Sequence, residues 1–137
     1  PYPGAPGFEL HSISKEEPFL AKGVSVQPLE VIHGKLPVLG FRIHDFTYIT
    51  DAKFIAEEEL EKARHSKVLV LNALHHRPHY SHLNLEQALE VIEKLEPEKA
   101  YLTHISHYMG LHERIDRTLP ENVSLAYDGL KIKLVDE

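Results

Sequence analysis

Apolar residues in this chain fall into short, dense runs separated by charged or Gly/Pro-rich stretches. Three of the runs end on a side chain that can bind metal. Pro28-Leu29-Glu30-Val31-Ile32 stops at His33, Phe46-Thr47-Tyr48-Ile49-Thr50 stops at Asp51, and Ala100-Tyr101-Leu102-Thr103 stops at His104. Runs this short, rich in β-branched and aromatic residues, predict strands. Lys67-Val68-Leu69-Val70-Leu71 is apolar nearly throughout, as expected for a strand covered on both faces. Val24, Val26 and Pro28 alternate with polar partners, and Leu39–Ile43 continues the strand pattern after Pro37. Phe8–Ser12 and Phe19–Leu20 predict further short strands, after a start too rich in Pro and Gly for regular structure.

Helical spacing takes over twice. Ile55, Leu60 and Ala63 form a sparse stripe that predicts a helix from about Ala56 to Arg64, with the Glu residues on its solvated side. Leu85, Ala88, Leu89, Ile92 and Leu95 predict a second helix from Asn84 to Leu95. Asn84 can cap it, Gln87 three residues on completes a capping box, and Pro97 stops it. From Phe46 to Thr103 the order is therefore βαβαβ. That order implies parallel neighbouring strands, with both helices on one face of the sheet. Val123–Tyr127, Asp128-Gly129 and Leu130–Leu134 predict a closing hairpin.

Composition narrows the picture. At 137 residues the chain is one domain at most, and 42% apolar with 26% charged residues is ordinary for a globular protein. No apolar run nears the ~20 residues that span a bilayer, and no secretory signal is visible, so no membrane association and a cytoplasmic location are expected. The net charge is −6, with 15 basic and 21 acidic residues interleaved, which disfavours nucleic acid as a partner. There is no Cys and there are eleven His, so any metal site uses nitrogen and oxygen donors.

A ligand just past a strand sits outside the strand's carboxyl end, where α/β proteins place their sites. His33, Asp51 and His104 form a donor set that zinc, manganese or iron accept. Each residue also has a plainer reading. His33 can be a polar strand end beside Gly34, Asp51 can N-cap the following helix, and His104 and His107 can line a helix start. His75, His76, His79 and His82 form the densest cluster in the chain. Pro78 argues against a helix there, so a loop at a strand's carboxyl end is expected. His82 adjoins the second helix start, where backbone N–H groups favour an anion. Protonated, it can donate to a phosphate oxygen or a leaving group.

Taken together, Val31-Ile32-His33-Gly34, Tyr48-Ile49-Thr50-Asp51, His79-Tyr80-Ser81-His82-Leu83-Asn84-Leu85, Leu102-Thr103-His104-Ile105-Ser106-His107 and Ala126-Tyr127-Asp128-Gly129 closely resemble the second half of a metallo-β-lactamase-superfamily hydrolase. The branch they resemble is that of the cyclic-phosphate phosphodiesterases. The resemblance runs from about Tyr2 onward and implies an α/β fold, one half of a four-layer αββα sandwich. It implies that His33 is a ligand of one metal, that Asp51 bridges two divalent ions (zinc or manganese), and that His104 completes the second. His82 would be catalytic, contacting the scissile phosphate and donating a proton. The implied reaction is hydrolysis of a cyclic or small phosphodiester through a metal-bound hydroxide.

The first-half motif, His-x-His-x-Asp-His, is absent: no two histidines are separated by a single residue. Residues 1–137 are therefore expected to form the C-terminal half of a longer hydrolase. The half alone should bind metal weakly and be inactive. Its open sheet face should be covered by a second copy or by the missing N-terminal half. Thioester hydrolysis, RNA processing on the same fold, and a non-enzymatic His-rich α/β module are the alternatives.

Overall fold

The computed structural model describes residue 4 and residues 7–134. The strands are β1 Phe19–Ala21, β2 Val24–His33, β3 Leu36–Ile43, β4 Phe46–Ile49, β5 Val68–Asn72, β6 Lys99–Thr103 and β7 Val123–Leu125. The helices are α1 Glu57–Ala63, α2 Leu85–Leu95 and α3 His112–Asp116, with a 3₁₀ turn at His107–Met109 before α3. The strands make one seven-stranded sheet in chain order. The pairs from β1 to β4 are antiparallel and those from β4 to β7 are parallel. The class is α/β, as the periodicity predicts.

Direction matters more than order here. Two antiparallel steps separate β2 from β4, so both run the same way as β5 and β6. All four release their carboxyl ends at one edge of the sheet. The β4–α1–β5–α2–β6 crossovers, right-handed as such units are, put both helices on one face. Arg64 after α1 donates to the Lys94 carbonyl of α2 at 2.6 Å, as that neighbourhood requires.

The core lies between those helices and the sheet. Leu29, Val31, Ile49, Leu69, Leu71 and Leu102 meet Leu60, Ala63, Ala88, Ile92 and Leu95 in one buried cluster. Each fully buried Leu contributes roughly 1.5–3 kcal/mol relative to exposure. Val68 and Val70 are buried outside that cluster. On the opposite face, Phe41, Tyr48, Val70 and Tyr101 make a cross-strand row through successive registers. Gly40 allows the close approach of β3 to β4: a Cβ there would lie 2.9 Å from Ile49 Cγ1 and 3.1 Å from the Tyr48 carbonyl.

The second helix follows its sequence signature. Asn84 Oδ1 accepts from Gln87 N–H, and the Gln87 side chain accepts from Asn84 N–H. The first helix departs from expectation in two ways. Its N-cap is Ala56, without a side-chain cap, so Asp51 is not the cap. Glu59 is buried rather than solvated, because its carboxylate accepts from Glu30 N–H and from Lys62 Nζ, both at 2.8 Å.

Two expected strands do not form. Phe8–Ser12 is irregular and exposed; its alternation finds no neighbouring ladder to join. The Asp128-Gly129 turn is present, with Leu130 N–H on the Tyr127 carbonyl, but Leu130–Leu134 is not a strand. Regular strand structure stops at Leu125, so the turn has no ladder to carry into a hairpin. The Pro/Gly-rich start lies largely outside the described residues.

Candidate functional site

His33 is the last residue of β2, and Gly34 at φ +65° starts the turn into β3. Thr50 and Asp51 follow β4, and the loop beyond them docks on the end of β2. Ile32 N–H donates to the Phe54 carbonyl at 2.8 Å, and Lys53 N–H donates to the Ile32 carbonyl at 2.7 Å. The residue before His33 is thereby tied to the loop after Asp51.

A second tie comes from β5. The Asn72 side chain, fully buried at the strand's end, accepts from Ala52 N–H and donates to the Ala52 carbonyl, each at 2.8 Å. That carbonyl also accepts from Leu83 N–H at 2.8 Å. Ala52 follows Asp51 and Leu83 follows His82, so the Ala52 carbonyl, held by Asn72, joins the backbones beside two site residues. His104 follows β6 in the left-handed region at φ +57°, a conformation a non-glycine residue rarely takes.

All four residues singled out from the sequence meet at this rim. His82 is at its centre. Its Nε2 lies 3.2 Å from His33 Nε2 and 3.4 Å from Asp51 Oδ1. Its ring packs edge-on to His33 and stacks on His104, with centroids 4.6 Å apart in both pairs. Donor atoms of His33, Asp51 and His82 lie within 4.8 Å of one another; His104 stays outside that tight set and is exposed. Among the other histidines, His79 reaches His82 with its Nδ1 at 3.4 Å from His82 Nδ1, while His11, His44, His65 and His112 are exposed.

The electrostatics suit a cation. The Thr50 hydroxyl donates to Asp51 Oδ2 at 2.6 Å and holds the Asp51 carboxyl below the usual carboxylate range; the His82 contact adds to this and burial opposes it. Burial pushes the His82 imidazole below the ordinary histidine value, and His104, His33 and His79 push the same way, against the Asp51 hydrogen bond. At neutral pH the His82–Asp51 contact is thus a hydrogen bond of a neutral imidazole, not an ion pair. Two imidazole nitrogens facing one another beside an ionised carboxylate is a donor set that fits a divalent ion.

Ser81 gives His82 two roles. Its hydroxyl lies 3.0 Å from His82 Nδ1. With the proton on Nδ1, His82 donates to Ser81 and presents a lone pair at Nε2, as a metal ligand does. With the Ser81 hydroxyl donating instead, Nε2 carries the proton and faces Asp51 and the rim. Sequence reasoning missed Ser81, Thr50 and Asn72. Asn72 alone carried a usable signal, being a polar residue ending a strand otherwise buried on both faces.

A family model described as beta-lactamase superfamily domain matches residues 2–105. A protein of Porphyromonas gingivalis named octanoyltransferase is 37% identical over 138 residues, covering 100% of this chain and 28% of that protein. The crystal structure of a diphosphatase from the PhnP family superposes with a TM-score of 0.87 at 37% identity, over 90% of this chain and 48% of that one. The metallo-beta-lactamase fold protein YhfI of Bacillus subtilis matches with a TM-score of 0.72 at 18% identity, over 88% of this chain and 54% of that one. The chain thus spans 28% of its curated relative and about half of these solved structures.

Proposed function

The chain belongs to the metallo-β-lactamase superfamily of hydrolases, and on that premise we propose that it is the C-terminal half of a metal-dependent phosphodiesterase acting on cyclic or small phosphodiesters. The observation that carries this reading is that His33, Asp51 and His104 surround His82, whose Nε2 lies 3.2 Å from His33 Nε2 and 3.4 Å from Asp51 Oδ1 and whose ring stacks on His104. Likeness to a diphosphatase at 37% identity favours a phosphoryl substrate over the thioester and RNA alternatives.

In this reading His33, Asp51 and His104 hold zinc or manganese, and His82 serves the phosphoryl group between them. Divalent ions bound there supply Lewis-acid polarisation of phosphoryl oxygens and activation of water. Asp51 stays ionised because Thr50 donates to it, so it offers charge without first losing a proton. On taking up a proton to become the imidazolium, with Ser81 Oγ accepting from its Nδ1–H, His82 can deliver the Nε2 proton to a leaving oxygen at the rim and return to the neutral ring. Its burial keeps it neutral between turnovers.

The open sheet face, with Tyr48 44% exposed in the row from Phe41 to Tyr101, is the face we assign to the N-terminal half or to a second copy. Zinc and manganese calorimetry with turnover of a bis-aryl phosphodiester tests the reading. Weak metal binding that Asp51→Asn abolishes is expected from the chain alone. Turnover is expected only alongside a half carrying His-x-His-x-Asp-His. Metal binding indifferent to Asp51→Asn would overturn the site, and full activity from these 137 residues would overturn the half-domain reading.

A further inference from the structure

On the helix face of the sheet, away from the rim, α2 and the turn into β7 enclose a groove of about 570 Å³. Its β7 wall is Val123, which pairs with Ala100 at the start of β6, whereas His104 follows the other end of that strand. The floor is apolar: Leu89, Ile92 and Val123, at the margin of the core. The walls are acidic. Glu86, Glu90, Glu93 and Glu96 stand three or four residues apart along α2, a stripe about 15 Å long at the helical rise per residue. No Lys, Arg or His lines the groove among the described residues.

This acidity is not balanced within the molecule. The carboxylates of Glu86, Glu90 and Glu93 are exposed and make no hydrogen bond or ion pair with any described residue, and that of Glu96 meets only His65, at 3.6 Å. The acids of α1 behave otherwise: Glu57 and Glu61 pair with Arg64, and Glu59 with Lys62. Like charges at this spacing weaken a helix, and carboxylates in its last turn oppose the helix dipole. Cations seated along the stripe would reverse both effects. Strand addition is not the mode of docking here. β7 ends the sheet, but Val123 N–H already donates to the Pro120 carbonyl at 2.9 Å and Leu125 N–H to Asp116 Oδ1 at 2.7 Å. What remains is recognition through side chains, with apolar anchors for the floor and cations for the walls, repeated over about three helical turns.

We propose that this groove docks a cationic amphipathic helix of a partner protein, its apolar side chains on Leu89, Ile92 and Val123 and its Lys or Arg side chains against Glu86, Glu90 and Glu93. The groove is on the helix face, opposite the open sheet face assigned to the N-terminal half, so it stays free in a complete hydrolase. Its occupant therefore comes from outside the hydrolase fold. Docking there does not depend on what the rim catalyses.

The probe is a fluorescein-labelled peptide of about 14 leucine and lysine residues, with leucine recurring at helical spacing on one face. Anisotropy against the EDTA-treated chain should show saturable binding that weakens with salt. Glu90→Lys combined with Glu93→Lys should weaken it about tenfold or more, as attraction becomes repulsion at two sites. Glu58→Lys combined with Glu113→Lys changes the net charge equally, on exposed residues outside the groove, and should cost only about twofold. Reversal on α2 relieves its like-charge contacts, so an unchanged or higher melting temperature will show that variant folded. Amide shifts in ¹H–¹⁵N spectra should map to α2 and Val123. Equal losses in the two double variants would reduce the binding to net charge and overturn the docking site. So would undiminished binding of a peptide with serine in place of leucine, or amide shifts confined to the rim or the open sheet face. A dimer of the free chain that the α2 reversal dissolves, seen by light scattering, would give the groove to a second copy and overturn the proposal too.

Discussion

Replacing Asn72 by leucine tests whether the rim is held by one buried amide. The substitution keeps the shape of the side chain and removes both hydrogen bonds to Ala52. The two ends of that loss are unequal. The Ala52 carbonyl keeps the Leu83 N–H at 2.8 Å, whereas the Ala52 N–H has no other acceptor among the described residues and sits on a residue with 0% exposure. A lost bond costs about 1 kcal/mol and an orphaned buried donor about 1–3 kcal/mol, so a loss of about 2–4 kcal/mol is expected. A domain of this size should lose roughly 3–5 °C of melting temperature per kcal/mol. Thr47→Val is the control. It breaks a buried bond to Ser66 far from the rim, but Ser66 Oγ still donates to the Ala63 carbonyl at 2.8 Å, so nothing is orphaned. That variant should lose only about 0.5–1.5 kcal/mol. Urea unfolding gives the stabilities, and competition with a chromophoric chelator gives zinc affinity. Because Ala52 joins the segments carrying Asp51 and His82, Asn72→Leu should also weaken zinc about 10–100-fold, as loss of a ligand-supporting partner typically does, while Thr47→Val leaves it alone. Equal stability losses in the two variants, or unaltered zinc affinity in Asn72→Leu, would show that the amide does not position the site.

The His82 pKa is lowered on folding, so the unfolded chain takes up the proton first; in EDTA, stability should hold above about pH 6.5 and fall as the pH drops toward the folded-state value. His82→Gln should flatten that loss between pH 7.5 and pH 5.5 in thermal melts, conditions still above the range where Asp51 begins to contribute; an unchanged slope would locate the titration elsewhere. Gly40→Ala places a methyl 2.9 Å from Ile49 Cγ1 and should cost about 1–3 kcal/mol by overpacking. Pairing it with Ile49→Ala should recover part of that cost in a double-mutant cycle, and strict additivity of the two would rule out the contact.

The sequence determined what depends on near neighbours. Periodicity placed α2 and its capping box, the βαβαβ order, and the apolar β5, because helix and strand patterns and caps are written within a few residues. It also placed His33, Asp51 and His104 at strand ends, since a dense apolar run marks its own limit. Local pattern misled where the outcome depended on a distant partner. Phe8–Ser12 and Leu130–Leu134 alternate like strands but form none, and Asp51 has the right chemistry for a cap but lies five residues before the true one at Ala56.

Only the tertiary structure decided that these ends share an edge. That follows from the parity of antiparallel steps from β2 to β4 and from the parallel pairing beyond. It also moved His82 from the flank of the site to its centre, 3.2 Å from His33 across 49 residues of sequence. Contacts of that span are set by sheet register and loop docking, through pairs such as Ile32 with Phe54 and Asn72 with Ala52, whose sequence separation no local pattern encodes.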